Sequence, residues 1–98
     1  MERLLAQHPN RVPVHIERSG TNIPDIDRHK YLVPDEMTVG QFVVLIRKRV
    51  SLKPYQGMFV FVNDTMVPNT MNMGEVYTNH ASSDRMLYMK YSGENVFG

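Results

Sequence analysis

The chain has 98 residues, a formal charge of +1 at neutral pH and no cysteine. A chain of this length forms one small domain with a single core, so we expect residues 1–98 to make one unit. The near-zero charge gives no field that would favour nucleic acid, and the lack of cysteine removes disulfides, thiolate zinc sites and cysteine nucleophiles.

The first predicted elements are a short helix and a strand. Glu2–Gln7 is compatible with a helix that Pro9 ends, so we expect a helix remnant over residues 1–8. Arg11–Glu17 alternates apolar and polar residues with period two, which predicts a strand. Its core face would carry Val12, Val14 and Ile16.

A second strand is predicted at Tyr31–Val33, after a loop that begins at Ser19. Pro34 follows it and lacks the N–H that an inner strand needs, so this strand belongs at or near the edge of a sheet. An edge strand can pair with a segment of another chain.

A capped helix follows the edge strand. Thr38 and Gln41 have the spacing of a capping box, and the apolar residues after them recur at helical spacing. The predicted buried stripe consists of Val39, Phe42, Val43, Ile46 and Val50. Leu45 lies at the border of this stripe, on the side of Arg49, and this border could line a groove against the preceding strand.

The next stretch predicts a third strand and a tight turn. Met58–Val62 is an uninterrupted apolar run, typical of a strand that is covered on both faces at the centre of a sheet. Asn63–Thr65 predicts the turn, and Met66–Pro68 a short return segment.

The last third of the chain predicts a short helix, a strand and a tail. Asn72 and Glu75 repeat the capping-box spacing, which predicts a helix over Met73–Asn79. Arg85–Tyr91 alternates as a strand does, and residues 92–98 are expected to form a flexible tail.

The order of these elements predicts an α+β fold of the β-grasp type, in which a hairpin is followed by a crossing helix and two further strands. We expect a mixed four-stranded sheet with one main crossing helix, a short second helix and a residual N-terminal helix. The first and last strands would lie side by side in the middle of the sheet.

Six short motifs carry a family resemblance: RVPV, KYLVP, TVGQF, LIRKR, FVFVN and the ending YSGENVFG. In this order and spacing the chain resembles the autophagy-related ubiquitin-like modifiers of the GABARAP type from about Glu2 to Gly98. The resemblance implies a ubiquitin-like β-grasp core with two N-terminal helices, of which the first would be missing here. It also implies conjugation through the final glycine to phosphatidylethanolamine on autophagic membranes.

The resemblance further implies a groove for peptides with an aromatic-x-x-aliphatic motif, carried by cargo receptors and autophagy factors. The peptide would add as a strand to Tyr31, Leu32 and Val33. The first pocket, for the aromatic residue, would be lined by Leu4, Pro13, His15, Lys30, Leu32 and Met86. The second, for the aliphatic residue, would be lined by Tyr31, Val33, Pro34, Met37, Phe42 and Leu45. Acidic residues beside the motif would meet Arg11, Arg28, Lys30 and Arg49.

Two positions in the first pocket depart from the family pattern. His15 stands where the family has an aliphatic residue, which implies a shallower or pH-sensitive pocket. Met86 stands where phenylalanine is usual, which implies a more adaptable wall.

The ending implies the conjugation chemistry of the family. Gly98 would be the conjugated residue, because a glycine carboxylate is unhindered for adenylation, thioester formation and transfer to an amine, and Phe97 would help enzymes to grip the tail. The partners implied are activating and conjugating enzymes, a processing and deconjugating cysteine protease, and membranes that contain phosphatidylethanolamine. We expect the sequence to correspond to a trimmed form or to one that needs no trimming.

Other function classes find less support. His8, His29 and His80 lack the spacing of metal ligands, and the Ser82–Asp84 segment is a loop by composition, so neither an enzyme nor a cofactor is expected. Arg47 and Lys48 fit a solvated helix end as well as a binding role. No apolar run reaches the ~20 residues that span a bilayer and no signal segment is present, so we expect a cytoplasmic protein that reaches the autophagosome membrane when lipidated. The alternative is an unconjugated ubiquitin-like adaptor that binds short motifs in scaffolding or vesicle transport.

Overall fold

Five strands and two helices are formed by residues 10–20 and 22–93, the part of the chain that the computed structural model describes. They follow one another as β1 (Arg11–Arg18), β2 (Lys30–Pro34), α1 (Val39–Val50), β3 (Phe59–Val62), β4 (Thr65–Met66), α2 (Met73–His80) and β5 (Leu87–Ser92). The helix predicted over residues 1–8 lies outside the described residues.

The strands make one mixed sheet in the order β2-β1-β5-β3-β4. β1 and β5 run parallel, with Val14 opposite Leu87 and Arg18 opposite Tyr91, whereas the other neighbouring pairs are antiparallel. The predicted adjacency of the first and last strands is therefore confirmed.

The sheet has a fifth strand that the sequence did not predict. The return segment predicted at Met66–Pro68 begins one residue earlier and pairs as β4 only over Thr65–Met66, with Thr65 opposite Val62 and Met66 opposite Phe61. Asn63 and Asp64 have φ values of 52° and 62°, the left-handed pair that a two-residue hairpin turn requires. A strand of two residues is too short to show an alternating pattern. Both of its side chains are also exposed, so no buried residue marks it in the sequence.

The prediction that the FVFV run marks the centre of the sheet is wrong. β3 lies second from the edge, and β5 occupies the centre. Val60, Phe61 and Val62 are nevertheless all buried, so an apolar run reports cover on both faces rather than central position. β5 in turn alternates, with Tyr88 and Lys90 exposed between buried neighbours.

The main helix follows its prediction closely. Thr38 Oγ1 accepts from the Gln41 amide at 3.1 Å, and the Gln41 side chain accepts from the Thr38 amide at 2.9 Å, which completes the capping box. The buried face consists of Val39, Phe42, Ile46 and Val50, with Val43 partly buried beside them. They pack on Val12, Val14 and Ile16, the predicted core face of β1, within one continuous core.

The first turn of each helix packs against the segment that precedes the other helix. Four first-turn amides donate to carbonyl oxygens across this contact at 2.7–2.9 Å: Val39 to Met71, Gly40 to Asn69, Met73 to Met37 and Gly74 to Asp35. Amides in a first turn have no acceptor within their own helix. The facing segments therefore supply the capping groups for both helices.

This contact explains why the capping box predicted at Asn72 is absent. α2 begins at Met73 as expected, but the Asn72 side chain makes no capping hydrogen bond. The acceptors that a side chain would supply come from the backbone of the opposite segment instead. The close approach also selects glycine, since a Cβ on Gly74 would lie 3.0 Å from the Asp35 Cβ and 3.2 Å from the Asp35 oxygen.

We expect Gly74→Ala to destabilise the domain. In an open helix the change to alanine stabilises by about 0.5–1 kcal/mol, but here the added methyl group displaces Asp35 and weakens the mutual capping, so we expect a net loss of roughly 1–2 kcal/mol. Urea unfolding measures it, with Gly57→Ala as the control because the nearest atom to a Cβ there is Phe59 Cε2 at 3.5 Å. An unfolding free energy equal to or above that of the wild type would contradict the assignment.

Candidate functional site

β2 lies at the edge of the sheet, as Pro34 predicts, and the candidate site lies along it. β2 pairs with β1 from Arg11 opposite Pro34 to His15 opposite Lys30. Among the described strands none pairs with its other side. The outer backbone groups of β2 are thus available to an added strand.

A cavity of about 220 Å³ lies beside this edge. The described residues that line it are Pro13, Val14, Arg28, Lys30, Tyr31, Leu32 and Met86. The set includes Pro13, Lys30, Leu32 and Met86, all assigned to the first pocket. The register explains why they meet, because Pro13 stands directly opposite Leu32 on the neighbouring strand. Leu4, assigned to the same pocket, lies outside the described residues.

Met86 is held at the cavity by the turn before β5. Asp84 Oδ1 accepts from the Met86 amide at 3.0 Å, and Asp84 Oδ2 accepts from the Tyr88 hydroxyl. The hydrogen bond from Tyr88 is the main reason why the pKa of Asp84 lies below its usual range, and the same bond raises the pKa of Tyr88. Asp84, which composition alone marks only as a loop residue, therefore positions a wall of the cavity.

Arg28 is fixed at the rim of the cavity. Its guanidinium carbon lies 5.4 Å from the centroid of the Tyr31 ring, a cation–π distance, and its Nε donates to the Lys30 carbonyl at 3.1 Å. Arg11, Arg28 and Lys30 are all exposed. The rim is thus cationic where the family resemblance implies contacts to acidic flanks.

His15 is not among the residues that line this cavity. Its ring stacks on His29 at a centroid distance of 5.8 Å and lies 5.5 Å from the Tyr88 ring. Its Nδ1 is 3.6 Å from a Glu17 carboxylate oxygen, too long for a hydrogen bond. His29 Nδ1 lies 2.8 Å from the Ile16 carbonyl, which only accepts, so this nitrogen carries the proton. His15, which stands where the family resemblance implies an aliphatic residue, therefore belongs to a polar cluster beside the cavity.

The second set of residues lies where β2 faces α1. Val33 and Phe42 are buried and belong to the core, while the partly buried members that offer surface are Tyr31, Pro34, Met37 and Leu45. The Tyr31 ring meets Phe42 edge to face at 6.1 Å. Its hydroxyl is buried without a hydrogen-bond partner among the described residues. Phe42 thus supports this wall from beneath.

The basic end of α1 serves two different purposes. Arg49, assigned to the charged rim, lies 3.2 Å from a carboxylate oxygen of Asp27. Arg47 donates to the backbone oxygens of Gln56 and Lys53 at 2.6 and 3.0 Å, so it ties the following loop to the helix. Of the two residues left open by the sequence, Arg47 has a structural role, and Lys48 is an exposed residue of the last turn.

Two properties of the described part of the chain bear on other functions. Within residues 10–20 and 22–93 there is no group of three histidine or acidic side chains that could hold a metal ion. In that same part, neither helix is long and apolar enough to cross a bilayer. Phe97 and Gly98, the tail residues of interest, lie outside it.

The sheet order and the crossing helix define a ubiquitin-like α+β domain, in which β2 is an edge strand of the sheet formed by the described residues. The model of the family described as "Autophagy protein Atg8 ubiquitin like" matches residues 1–98, and the chain belongs to this family. The family that the sequence motifs predict is thereby confirmed, and with it the ubiquitin-like fold.

The relatives found are similar over nearly the whole chain. Autophagy-related protein 8 of Eremothecium gossypii is 52% identical, across 99% of this chain and 82% of its own length. Autophagy-related protein 8b of Arabidopsis thaliana is 48% identical, across 98% of this chain and 80% of its own. The crystal structure of Trypanosoma brucei ATG8 is 43% identical with a TM-score of 0.89, and the match covers 99% of this chain and 84% of that one.

We expect Asp27→Asn to strengthen binding of a motif peptide with an acidic flank. Removing the carboxylate frees Arg49 for the peptide, and because both side chains are exposed the gain is small, about two-fold in affinity at low salt. Calorimetric titration measures it, with Asp64→Asn as the control because this residue is in the turn at the opposite edge of the sheet. If both variants gain equally, the effect comes from net charge and not from Arg49.

Proposed function

We propose that this protein is a ubiquitin-like modifier of autophagy that recruits motif-bearing partners through the β2 edge and is attached to phosphatidylethanolamine through Gly98. The observation that carries the recruiting role is that β2 is an edge strand among the described residues, beside the cavity that Pro13, Lys30, Leu32 and Met86 help to line. Family membership supports the conjugation. The expected location is the cytoplasm and, after lipidation, the autophagosome membrane.

The spacing of the motif fits the geometry of an added strand. Side chains three positions apart in an extended peptide point to opposite faces, because the period of a strand is two. Within β2, Leu32 of the first set and Val33 of the second point to opposite faces. Tyr31, assigned to the second set, also lines the cavity. Leu32 belongs to the face with Pro13 and Met86, whereas Val33 points into the core beneath α1. An aromatic residue can therefore enter the cavity while an aliphatic residue three positions later contacts the α1 side.

The charges around the groove favour acidic partners. Arg28 is held over Tyr31 and need not lose side-chain freedom when it meets a carboxylate, which lowers the entropic cost of that contact. Arg11 and Lys30 add exposed positive charge along the same strands. Such charges raise the association rate more than the final affinity, and salt weakens the effect.

The conjugation that we propose proceeds through three acyl transfers. The Gly98 carboxylate attacks the α-phosphate of ATP, which forms an acyl adenylate and releases pyrophosphate. A cysteine thiolate of the activating enzyme displaces AMP to form a thioester, which then passes to a cysteine of the conjugating enzyme. The amine of phosphatidylethanolamine attacks the thioester carbonyl and releases the thiol, which leaves an amide.

We expect Leu32→Ala and Leu45→Ala each to weaken an aromatic-x-x-aliphatic peptide by ~1–3 kcal/mol, as for central anchors of an interface. Each removes apolar contact on one side of β2, and neither residue is fully buried, so the fold should persist. Fluorescence anisotropy with a labelled peptide measures it. Met66→Ala is the control, since Met66 is an exposed residue of β4 at the far edge. Wild-type affinity in both variants would remove the groove assignment.

We expect Gly98→Ala to abolish most of the lipid conjugate while leaving peptide affinity unchanged, because a Cβ next to the reacting carboxylate hinders passage through the enzymes. The assay combines ATP, the activating and conjugating enzymes of the family and vesicles that contain phosphatidylethanolamine, and follows the mobility shift on a gel. A wild-type protein that forms no conjugate, and floats with vesicles no better than the variant, would be an unconjugated adaptor instead.

A further inference from the structure

The loop between β1 and β2 closes over the end of β5. The Ser19 amide donates to the Tyr91 carbonyl at 2.8 Å, and the Tyr91 hydroxyl donates to the Pro24 carbonyl at 2.9 Å. Two residues after Tyr91, the Gly93 amide lies 3.3 Å from Asn22 Oδ1 and donates to it. The loop therefore holds β5 at the point from which residues 94–98 continue.

The loop can approach Gly93 this closely because glycine has no side chain. A Cβ on Gly93 would lie 3.0 Å from the Asn22 carbonyl oxygen and 3.2 Å from Asn22 Oδ1, both closer than an ordinary contact. The backbone of the loop thus sits directly against the backbone of this glycine. Any larger residue would push the loop and the strand end apart.

The part of the loop described from Asn22 onward is itself anchored. Ile23 and Ile26 are buried at 4% and 3% exposure, and Arg18 Nη1 donates to the Ile23 carbonyl at 3.3 Å. Tyr91 is fully buried, and this burial is the main reason why its pKa is raised to about 12. Its hydroxyl therefore stays a hydrogen-bond donor throughout the physiological pH range. The Asn22 side chain is thus presented from a fixed base.

We propose that Asn22 is a positioning residue for conjugation, because it fixes Gly93 as the origin of the segment that ends in Gly98. This inference rests on the function proposed above. Gly98 is five residues beyond Gly93, so the origin limits its carboxylate to a radius of about 17 Å. When an enzyme binds the domain and the tail together, the tail then loses less conformational entropy as its carboxylate enters the active site.

The test compares conjugation of the full chain by the purified enzymes, with phosphatidylethanolamine vesicles, for the wild type, Asn22→Ala and Asn22→Asp. Alanine removes the acceptor, and we expect kcat/KM to fall about five-fold, mainly through a higher KM. Aspartate keeps an oxygen acceptor at the same position and should restore most of the rate. Hydrogen exchange at the Gly93 amide should be faster in the alanine variant alone.

Two controls separate positioning from general stability. Gly93→Ala should lower kcat/KM in the same way as Asn22→Ala, whereas Gly57→Ala, which has room for a Cβ, should not. Affinity for an aromatic-x-x-aliphatic peptide should stay at the wild-type value in all of these variants, which shows that they are folded at the β2 edge.

The outcomes distinguish this inference from the proposed function. Equal kcat/KM for the wild type and Asn22→Ala would overturn the role of Asn22 and leave conjugation intact. A loss in Asn22→Asp as large as in Asn22→Ala would overturn it as well, because the hydrogen-bond acceptor would then not be the cause. A wild type that forms no conjugate would overturn the conjugation proposal, and the positioning role would fall with it.

Discussion

The mutual capping of α1 and α2 joins the β2 edge, where we propose that peptides bind, to the rest of the domain. Asp35 and Met37, whose carbonyl oxygens accept from the first amides of α2, lie in the short segment between β2 and α1. Amides left without acceptors in such a contact would cost roughly 1–3 kcal/mol each, so the contact has little freedom to open. The position of α1 relative to β2, and hence the α1 side of the proposed groove, therefore depends on α2.

The proposed groove uses both faces of one strand, β2. The β2 residues that point away from α1 meet Pro13 and Met86, which reach the edge from β1 and from the turn before β5. The residues that point toward α1 meet the core. Asp84 holds one side by hydrogen bonds to Met86 and Tyr88, and the capped start of α1 holds the other. Neither face is built from loop residues alone, which suits a site that must be preformed to bind short peptides.

Periodicity made much of this fold predictable. The alternation of Val12, Val14 and Ile16 and the helical stripe through Phe42 and Ile46 are set by burial, which sequence patterns record directly. The capping box at Thr38 involves residues that are close in the chain, so it too can be predicted from the sequence. What could not be predicted depends on contacts between distant segments. The backbone of Met37 caps α2 in place of Asn72, and β4 is too short to show a pattern. At the site, the sequence does not predict the partners of His15, Arg49 and Asp84, because the tertiary arrangement determines each of them.

The parallel pairing of β1 with β5 has a consequence for how the protein matures. The two strands stand at opposite ends of the described chain, so the central ladder closes only when the last strand has been made. Folds that depend on such long-range pairing fold slowly, and a nascent chain that lacks β5 has no complete core. The same strand follows the turn that carries Met86 and leads directly to Gly93. A chain still being synthesised therefore lacks both the Met86 wall of the candidate site and the contact that holds Gly93, and both form in a single late event.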